Sequence, residues 1–322
     1  MRREGRREGS AFQGVGTVAL KELADHLSSA RMRMLEWLVI ITAVIPFYGA
    51  VEQLRNTTAE DPFLLLRLFT VTGSRLPVFS ILGFVVPLVA IGLGFDAISG
   101  EHNRRTLSRI LAQPIYRDAL LAGKFLAGLG TLAISLLCLW LLIVGLGVLL
   151  LGVPPTGEEI VRSLIFIVCT VFYAGVWLAL AMLYSIIFRA PATAALVALG
   201  TWFIVLLWPV AAEVIANIVA PPDPRLALLG YPTLATLEWT QALSRLSPNT
   251  LYVEIVQAIL APETRSLGPM FIDQLQGMLR GAALPLGESL AIAWPQAVAL
   301  IAGTIVLFSA GYVVFQRQEV RA

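Results

Sequence analysis

Five stretches of this chain run for about 20 residues or more without one charged side chain. They are Leu76–Phe95, Phe125–Leu151, Ser163–Phe188, Ala192–Ala212 and Ser289–Phe315. The hydrocarbon core of a bilayer is about 30 Å thick, and an α-helix crosses it in about 20 residues. Lipid offers no hydrogen bonds to an open backbone, so a spanning segment of this kind must be helical. Each of the five stretches is therefore predicted to be a transmembrane helix.

A sixth, shorter apolar stretch covers residues 35–51, and Glu36 lies at its start. It spans a bilayer if Glu36 sits among the head groups, since a charge at the bilayer centre costs about 2.5–3.5 kcal/mol. Charged residues make up only 14% of the 322 residues, against about 25% in soluble domains. The sequence predicts an all-α integral membrane protein with six transmembrane helices, forming a single domain over 1–322.

The basic residues are distributed unevenly between the two sides of this six-helix topology. With both termini on one side, that side holds Arg2, Arg3, Arg6, Arg7, Lys21, Arg31, Arg33, Arg104, Arg105, Arg109, Arg117, Lys124, Arg189, Arg317 and Arg321. The short loops opposite hold only Arg55, Arg67, Arg75 and Arg162. Positive charge favours the cytoplasmic side of short loops. Both termini are predicted to be cytoplasmic, in a bacterial or archaeal cell (inner) membrane.

Residues 11–34 precede the first span, and their apolar side chains recur at helical spacing. Leu20, Leu23, Leu27 and Met34 line one face. An amphipathic helix of this kind lies in the membrane interface. A simple cytosolic leader helix is the alternative.

Residues 221–288 form the longest stretch outside the predicted spans and are predicted to be extracytoplasmic. Short helices are expected around 234–246 and 251–260, separated by Ser247-Pro248-Asn249 and packed over the outer ends of the spans. The segment contains no Cys and no His, so it offers no imidazole or thiolate to a transition metal.

Searches for catalytic, cofactor and metal motifs identify no site in this chain. Gly123-Lys124 lacks the earlier glycine of a phosphate-binding loop, because position 118 is Asp. Five of the predicted spans contain no ionisable residue, which argues against a carrier driven by coupling ions at the membrane centre. Any energy for transport is therefore expected to come from another subunit, and no nucleic-acid partner is indicated.

The loop between the second and third spans carries the most specific pattern. Residues 99–113 are predicted to form a short helix, with Ser99 as its N-cap and Pro114 ending it. His102, Arg105 and Arg109 fall on one face of that helix. A helix held on anionic lipid is the alternative interpretation of this basic face.

Three short motifs of this chain resemble those of ABC transporter permeases of the type-2 exporter family. One is the loop itself, with Asp96-Ala97-Ile98, Gly100-Glu101, Thr106-Leu107, Pro114, Arg117 and Gly123-Lys124. The others are the segment from Ala19 to Asp25 and Ser247-Pro248-Asn249-Thr250-Leu251-Tyr252. The order of the motifs and the six-span plan match over nearly the whole chain.

The resemblance implies a permease that dimerises and binds two separate ATPase subunits at its cytoplasmic face. ATP and Mg²⁺ would be bound by those subunits, and this chain would hold no cofactor itself. The 99–113 helix would be the coupling helix that inserts into the ATPase. The ATPase contact is then predicted at Gly100, Glu101, His102, Arg105, Thr106, Leu107, Arg109, Pro114 and Arg117.

The function that this resemblance favours is the transmembrane subunit of an ABC exporter, with no enzymatic activity of its own. A non-transporting subunit that passes ATPase-driven motion to a periplasmic partner is the first alternative. A self-sufficient secondary carrier is the second, and the missing mid-membrane charges count against it.

Overall fold

The computed structural model describes residues 14–55, 63–70, 77–104, 117–152, 154–221, 233–264, 267 and 283–318. All regular secondary structure in these ranges is helical. In chain order the helices are α1 Val15–Ser28, α2 Ala30–Arg55, α3 Leu64–Thr70, α4 Val78–Gly94, α5 Ser99–Asn103, α6 Arg117–Leu151, α7 Gly157–Ile187, α8 Pro191–Val219, α9 Leu234–Ser244, α10 Pro248–Leu260 and α11 Leu286–Arg317.

Six helices are long and apolar enough to cross a membrane, which confirms the predicted architecture. They are α2, α4 continued through α5, α6, α7, α8 and α11. Their ends extend beyond the predicted spans, most clearly in α6, which begins at Arg117 rather than Phe125. We call the end of the bundle that holds α1, α5 and the start of α6 the basic end.

The centre of the bundle is built on α4 and α7, which are the most buried of the six helices. α7 packs against α11, α4, α6, α10 and α8. Glycines allow the closest approaches: a Cβ on Gly94 would lie 2.9 Å from the Ala181 side chain, and one on Gly128 would lie 2.9 Å from Leu178. Small residues at such crossings are typical of helix packing in membranes.

The segment between α8 and α11 departs from the prediction that its helices cover the span ends. α9 and α10 instead form a hairpin that runs beside the spans. Thr236 Oγ1 donates to Ala220 O at the end of α8, whereas Ser247 Oγ donates to Val205 O at the midpoint of that helix. Tyr252 stacks on Tyr173, close to the midpoint of α7, with ring centroids 4.5 Å apart. The apolar residues of α10 lie buried in the bundle, where they avoid polar surroundings.

Arg162 fixes the hairpin to the end of the bundle opposite the basic end. Its fully buried guanidinium donates to Ile259 O at 3.1 Å, to Ser289 Oγ at 3.0 Å and to Leu284 O at 2.5 Å, and it pairs with Glu158 at 2.8 Å. A cation beside the last carbonyls of α10 is also favoured by the helix dipole. The side chain of one arginine thereby joins the ends of α7, α10 and α11.

Candidate functional site at the basic end

The structure describes four of the nine predicted ATPase-contact residues, namely Gly100, Glu101, His102 and Arg117. Arg105, Thr106, Leu107, Arg109 and Pro114 lie outside the described residues, as does most of the predicted 99–113 helix. The described part of that helix is α5, where Gly100 is buried and His102 is exposed. Glu101 points into the bundle and not into open solvent, as its contact with Lys124 shows.

The start of α5 corrects the prediction that Ser99 caps this helix. Ile98, not Ser99, is the residue at the N-cap position. Ser99 is buried, and its hydroxyl donates to Phe95 O at 3.1 Å. Ser185 of α7 supplies the missing acceptor, since its Oγ accepts from the backbone N–H of both Ile98 and Ser99 at 3.0 Å. The capping oxygen comes from a helix distant in sequence, which local sequence signals do not reveal.

Lys124 is the centre of an ion-pair network that joins three helices. The side chain of this α6 residue is 6% exposed, and its Nζ lies 3.0 Å from Glu22 Oε2 of α1 and 3.5 Å from Glu101 Oε1 of α5. A buried ammonium group is costly without such partners. Lys124 is thus the cation that both carboxylates share. We call Glu22, Lys124 and Glu101 the α1–α5–α6 triad.

A second ion pair joins the start of α2, directly after its junction with α1, to the segment between α4 and α5. Arg31 Nη1 donates to Asp96 Oδ2 at 2.8 Å, and its guanidinium lies 5.4 Å from the Phe95 ring centre. Asp96 opens the Asp96-Ala97-Ile98 motif. The motif residues therefore tie the entrance to the second-to-third span loop to the start of the first span.

The Gly123-Lys124 pair has a structural explanation that differs from phosphate binding. A Cβ on Gly123 would lie 2.7 Å from Val18 Cβ, so only glycine lets α1 approach α6 this closely. Lys124 then reaches Glu22 on the next turn of α1. The two residues together seat α1 along the first turns of α6.

Burial and charge act in opposite directions on the titratable groups of this region. Burial raises the pKa of the Glu22 carboxyl, but Lys124 and Lys21 outweigh burial and the net pKa is lowered from its ordinary value of 4.5. The triad therefore stabilises the folded chain above about pH 4.5 and loses this contribution as the pH falls through the lowered pKa. Burial also lowers the pKa of His26, against the opposing effect of Glu22, so this imidazole favours its neutral form.

A cavity of about 450 Å³ opens between α1, α4, α6 and α7 beside the triad. Its walls carry four basic side chains, Lys21, Arg31, Arg104 and Lys124, and four acidic ones, Glu22, Asp25, Asp96 and Glu101. Its floor is apolar and includes Leu93, Leu178 and Met182. The walls therefore carry equal numbers of basic and acidic side chains, several of which are already paired with one another.

Arg117 lies away from the triad and joins the first residues of α6 to the end of α11. Its Nη1 donates to Gln318 O at 3.1 Å. The neighbouring Asp118 accepts a hydrogen bond from Gln316. The predicted contact residues thus divide between two places, with Gly100 and Glu101 at the triad and Arg117 at the end of the last span.

Sequence reasoning missed Glu22 and Lys124 as partners, although both belong to motifs of the resemblance. It also did not anticipate that Arg245 and Glu254 form an ion pair on an α9–α10 hairpin that packs beside the spans. The polar loop between α9 and α10 indicated a turn between two helices. The same local sequence fits a hairpin that packs among the spans and a loop at the surface, so it does not reveal the depth of the hairpin.

The comparisons with known proteins identify the family of this chain. A family model described as "ABC-2 family transporter protein" matches residues 16–320. The chain belongs to the ABC-2 transporter family. It is 30% identical over 200 residues to the probable ABC transporter permease protein NosY of Pseudomonas aeruginosa, covering 60% of this chain and 67% of the relative. The NosY protein of Stutzerimonas stutzeri is 28% identical over the same length and shares of both chains.

This ABC-2 protein is a transmembrane subunit of an ABC transporter and a multi-pass membrane protein. Permeases of this family are not the catalytic subunits of their transporters, and membership implies ATPase partner subunits. The triad is relevant to this assignment because Glu101 lies within the 99–113 segment that is predicted to meet an ATPase.

Proposed function

We propose that this chain is the permease of an ABC exporter, working as a homodimer with two separate ATPase subunits docked at the basic end. ATP and Mg²⁺ belong to those subunits, and residues 99–113 are the coupling helix. The observation that carries the proposal is the Lys124 contact, which links Glu101 near the start of the coupling helix to Glu22 of α1. A displacement of the coupling helix would thus reach α1 and α6 through one side chain.

The orientation follows from the same end of the molecule. The basic end carries most of the basic residues of the short loops, so we assign it to the cytoplasm of a bacterial or archaeal inner membrane. α1 leaves Leu20 and Leu27 exposed, at 69% and 37%, and Met34 near the start of α2 is 74% exposed. Exposed apolar side chains beside a basic surface suit a helix that lies in the membrane interface.

The homodimer is supported by the surface of α8. Leu196, Phe203, Ile204, Val210 and Ile218 of this span are all at least half exposed. α8 has few buried residues along its length. A second copy of the chain would cover part of this face, and lipid would cover the rest.

The alternative function is force transmission to a periplasmic partner without transport. The observation that favours it is the exposure of Leu234 and Trp239 on α9, at 52% and 47%. Both residues lie on the hairpin that enters from the end opposite the basic end. A partner protein at that end would bind α9 and respond to movement of the hairpin.

The coupling helix is tested by reversing the charge of its basic face in Arg105→Glu/Arg109→Glu. Loss of favourable charge contacts at the ATPase should reduce recovery of the ATPase–permease complex by about tenfold. Co-purification of the ATPase with affinity-tagged permease measures this. The matched control is Arg33→Glu/Arg189→Glu, which reverses two exposed arginines outside the predicted contact. Equal recovery for both double variants would contradict the assignment of residues 99–113.

A further inference from the structure

The α9–α10 hairpin carries a group of polar side chains that meet those of the last span. Arg245 Nε donates to both carboxylate oxygens of Glu254 at 3.0 Å. Gln296 Nε2 of α11 donates to Glu254 Oε2, also at 3.0 Å. Gln241 Nε2 and Arg245 Nη2 both donate to Leu267 O. We call Gln241, Arg245, Glu254 and Gln296 the hairpin cluster.

With the bilayer centred on the midpoints of α8 and α11, the hairpin cluster lies within the depth of the hydrocarbon core. The α9–α10 turn meets Val205 at the midpoint of α8. Gln296 lies about 8 Å from the midpoint of α11, at a rise of 1.5 Å per residue. The hydrocarbon core extends about 15 Å to either side of its centre. An arginine and a glutamate are thus held where a charged side chain is strongly disfavoured, and such residues in membrane proteins mark functional sites.

Two hydrogen-bonding groups of the hairpin cluster have no partner among the described residues. Gln296 is 6% exposed, and its Oε1 accepts no hydrogen bond there. Arg245 Nη1 likewise has no acceptor in the described ranges, while 37% of the side chain remains exposed. A buried acceptor left without a donor is unfavourable. The site therefore offers a partly accessible cation close to an enclosed acceptor that lacks a donor and becomes reachable when the Gln296 side chain rotates.

We propose that the hairpin cluster binds the acidic phosphate head group of a membrane-borne amphiphile. A phosphate monoester satisfies both groups at once: its anionic oxygens accept from Arg245, and its remaining P–OH donates to Gln296 Oε1. The surroundings suit the acyl chains, because Leu246 beside Arg245 is 69% exposed. The inference deepens the proposed export function by naming its substrate class.

The binding test uses purified full-length permease and phosphatidic acid as the probe, with native mass spectrometry to measure bound lipid. The variant is Arg245→Gln/Glu254→Gln, which removes the cation without leaving an unpaired buried carboxylate. Its affinity for phosphatidic acid should fall about tenfold, the effect of losing one charge-assisted interaction. Arg67→Gln/Glu263→Gln is the matched control, since it neutralises a pair 2.9 Å apart outside the hairpin cluster. Its affinity should remain that of the wild type.

Unchanged phosphatidic acid affinity in the Arg245→Gln/Glu254→Gln variant would overturn the proposal. Equally tight binding of phosphatidylcholine, or of inorganic phosphate, would also overturn it, since the first lacks the P–OH donor and the second lacks the membrane-borne chains. A head-group photoreactive phosphatidic acid provides a test in the wild-type chain. Labelling should concentrate on α9, α10 and α11 near the cluster, and labelling confined to other helices would refute the site.

Failure of this inference can be separated from failure of the proposed function. ATPase co-purification is measured on the same wild-type and variant proteins. A wild-type permease that binds phosphatidic acid at the cluster but recovers no ATPase contradicts the ATPase-driven exporter and leaves the site intact. An assembled complex with no preference for phosphatidic acid contradicts only the site.

Discussion

Lys124 shows how a single side chain determines the local arrangement at the basic end. Its ammonium group neutralises carboxylates from two elements that lie on either side of it in space, and each carboxylate is largely shielded from water. The contact to Glu22, at 3.0 Å, is shorter than the contact to Glu101, at 3.5 Å. Shielding from solvent gives these pairs more weight than surface ion pairs carry.

Replacing Lys124 with Met should destabilise the permease, because Glu22 and Glu101 then lose the buried cation that they share. The expected loss is about 2 kcal/mol, below the range for fully buried pairs since both carboxylates retain some solvent. Thermal unfolding in detergent measures the effect. Lys21→Met is the control: Lys21 is 67% exposed, and its loss should cost less than about 1 kcal/mol. Equal destabilisation by both changes would contradict the central role of Lys124.

At the scale of elements, close contacts between helices determine where α1 and the α9–α10 hairpin pack. α1 follows the first turns of α6 because Gly123 leaves room for Val18. The α9–α10 hairpin enters the bundle because Tyr252 packs against Tyr173, whose hydroxyl donates to Gly83 O of α4 at 2.8 Å. Gly83 also sits against the Tyr252 ring, where a Cβ would lie 3.2 Å from the ring carbon Cε1.

Gly123→Val should displace α1 from α6, because the new Cβ would overlap the stiff β-branched side chain of Val18. Two measurements report the displacement: the rate of proteolysis within α1, and the labelling of a Val18→Cys thiol by a thiol-reactive probe. The expected loss of stability is about 1–3 kcal/mol, typical of overpacking. Gly145→Val on the same helix is the control, since nothing lies within 4 Å of its Cβ position. A fully protected α1 in Gly123→Val would refute this explanation of the Gly123-Lys124 motif.

At the scale of the whole molecule, six spanning helices require both ends of the chain to lie on one side of the membrane. The first described helix and the last one both reach the basic end, where Arg117 bonds to Gln318. The positive charge of that end supports the proposed cytoplasmic orientation.

Reporter fusions should therefore place the C-terminus in the cytoplasm and a fusion at Gly157 on the opposite side. Gly157 begins α7, at the end where Arg162 joins α10 and α11. Alkaline phosphatase and green fluorescent protein fusions provide opposite readouts at each position. The same compartment for both fusions would be incompatible with six spans.

The sequence alone determined the fold class, the number of spans and the family. A long uncharged apolar segment in lipid must be helical, because only a helix pairs all of its backbone N–H and C=O groups. The number of spans therefore follows from the number of such segments along the chain. Short helices around residues 234–246 and 251–260 were also predictable from local periodicity and from Pro248. The motif residues of the loop after the second span carried the resemblance to ABC permeases, which the family match over residues 16–320 confirms.

The tertiary structure alone decided which of these residues meet and at what depth they lie. Glu22, Glu101 and Lys124 are far apart in sequence, and Ser185 caps a helix that begins nearly 90 residues before it. The position of Arg245 and Glu254 inside the bundle depends on packing against α7, α8 and α11, which no local pattern encodes. Local sequence propensity determines where helices form. The depth at which a hairpin packs is determined by the apolar surfaces of the neighbouring helices that it buries.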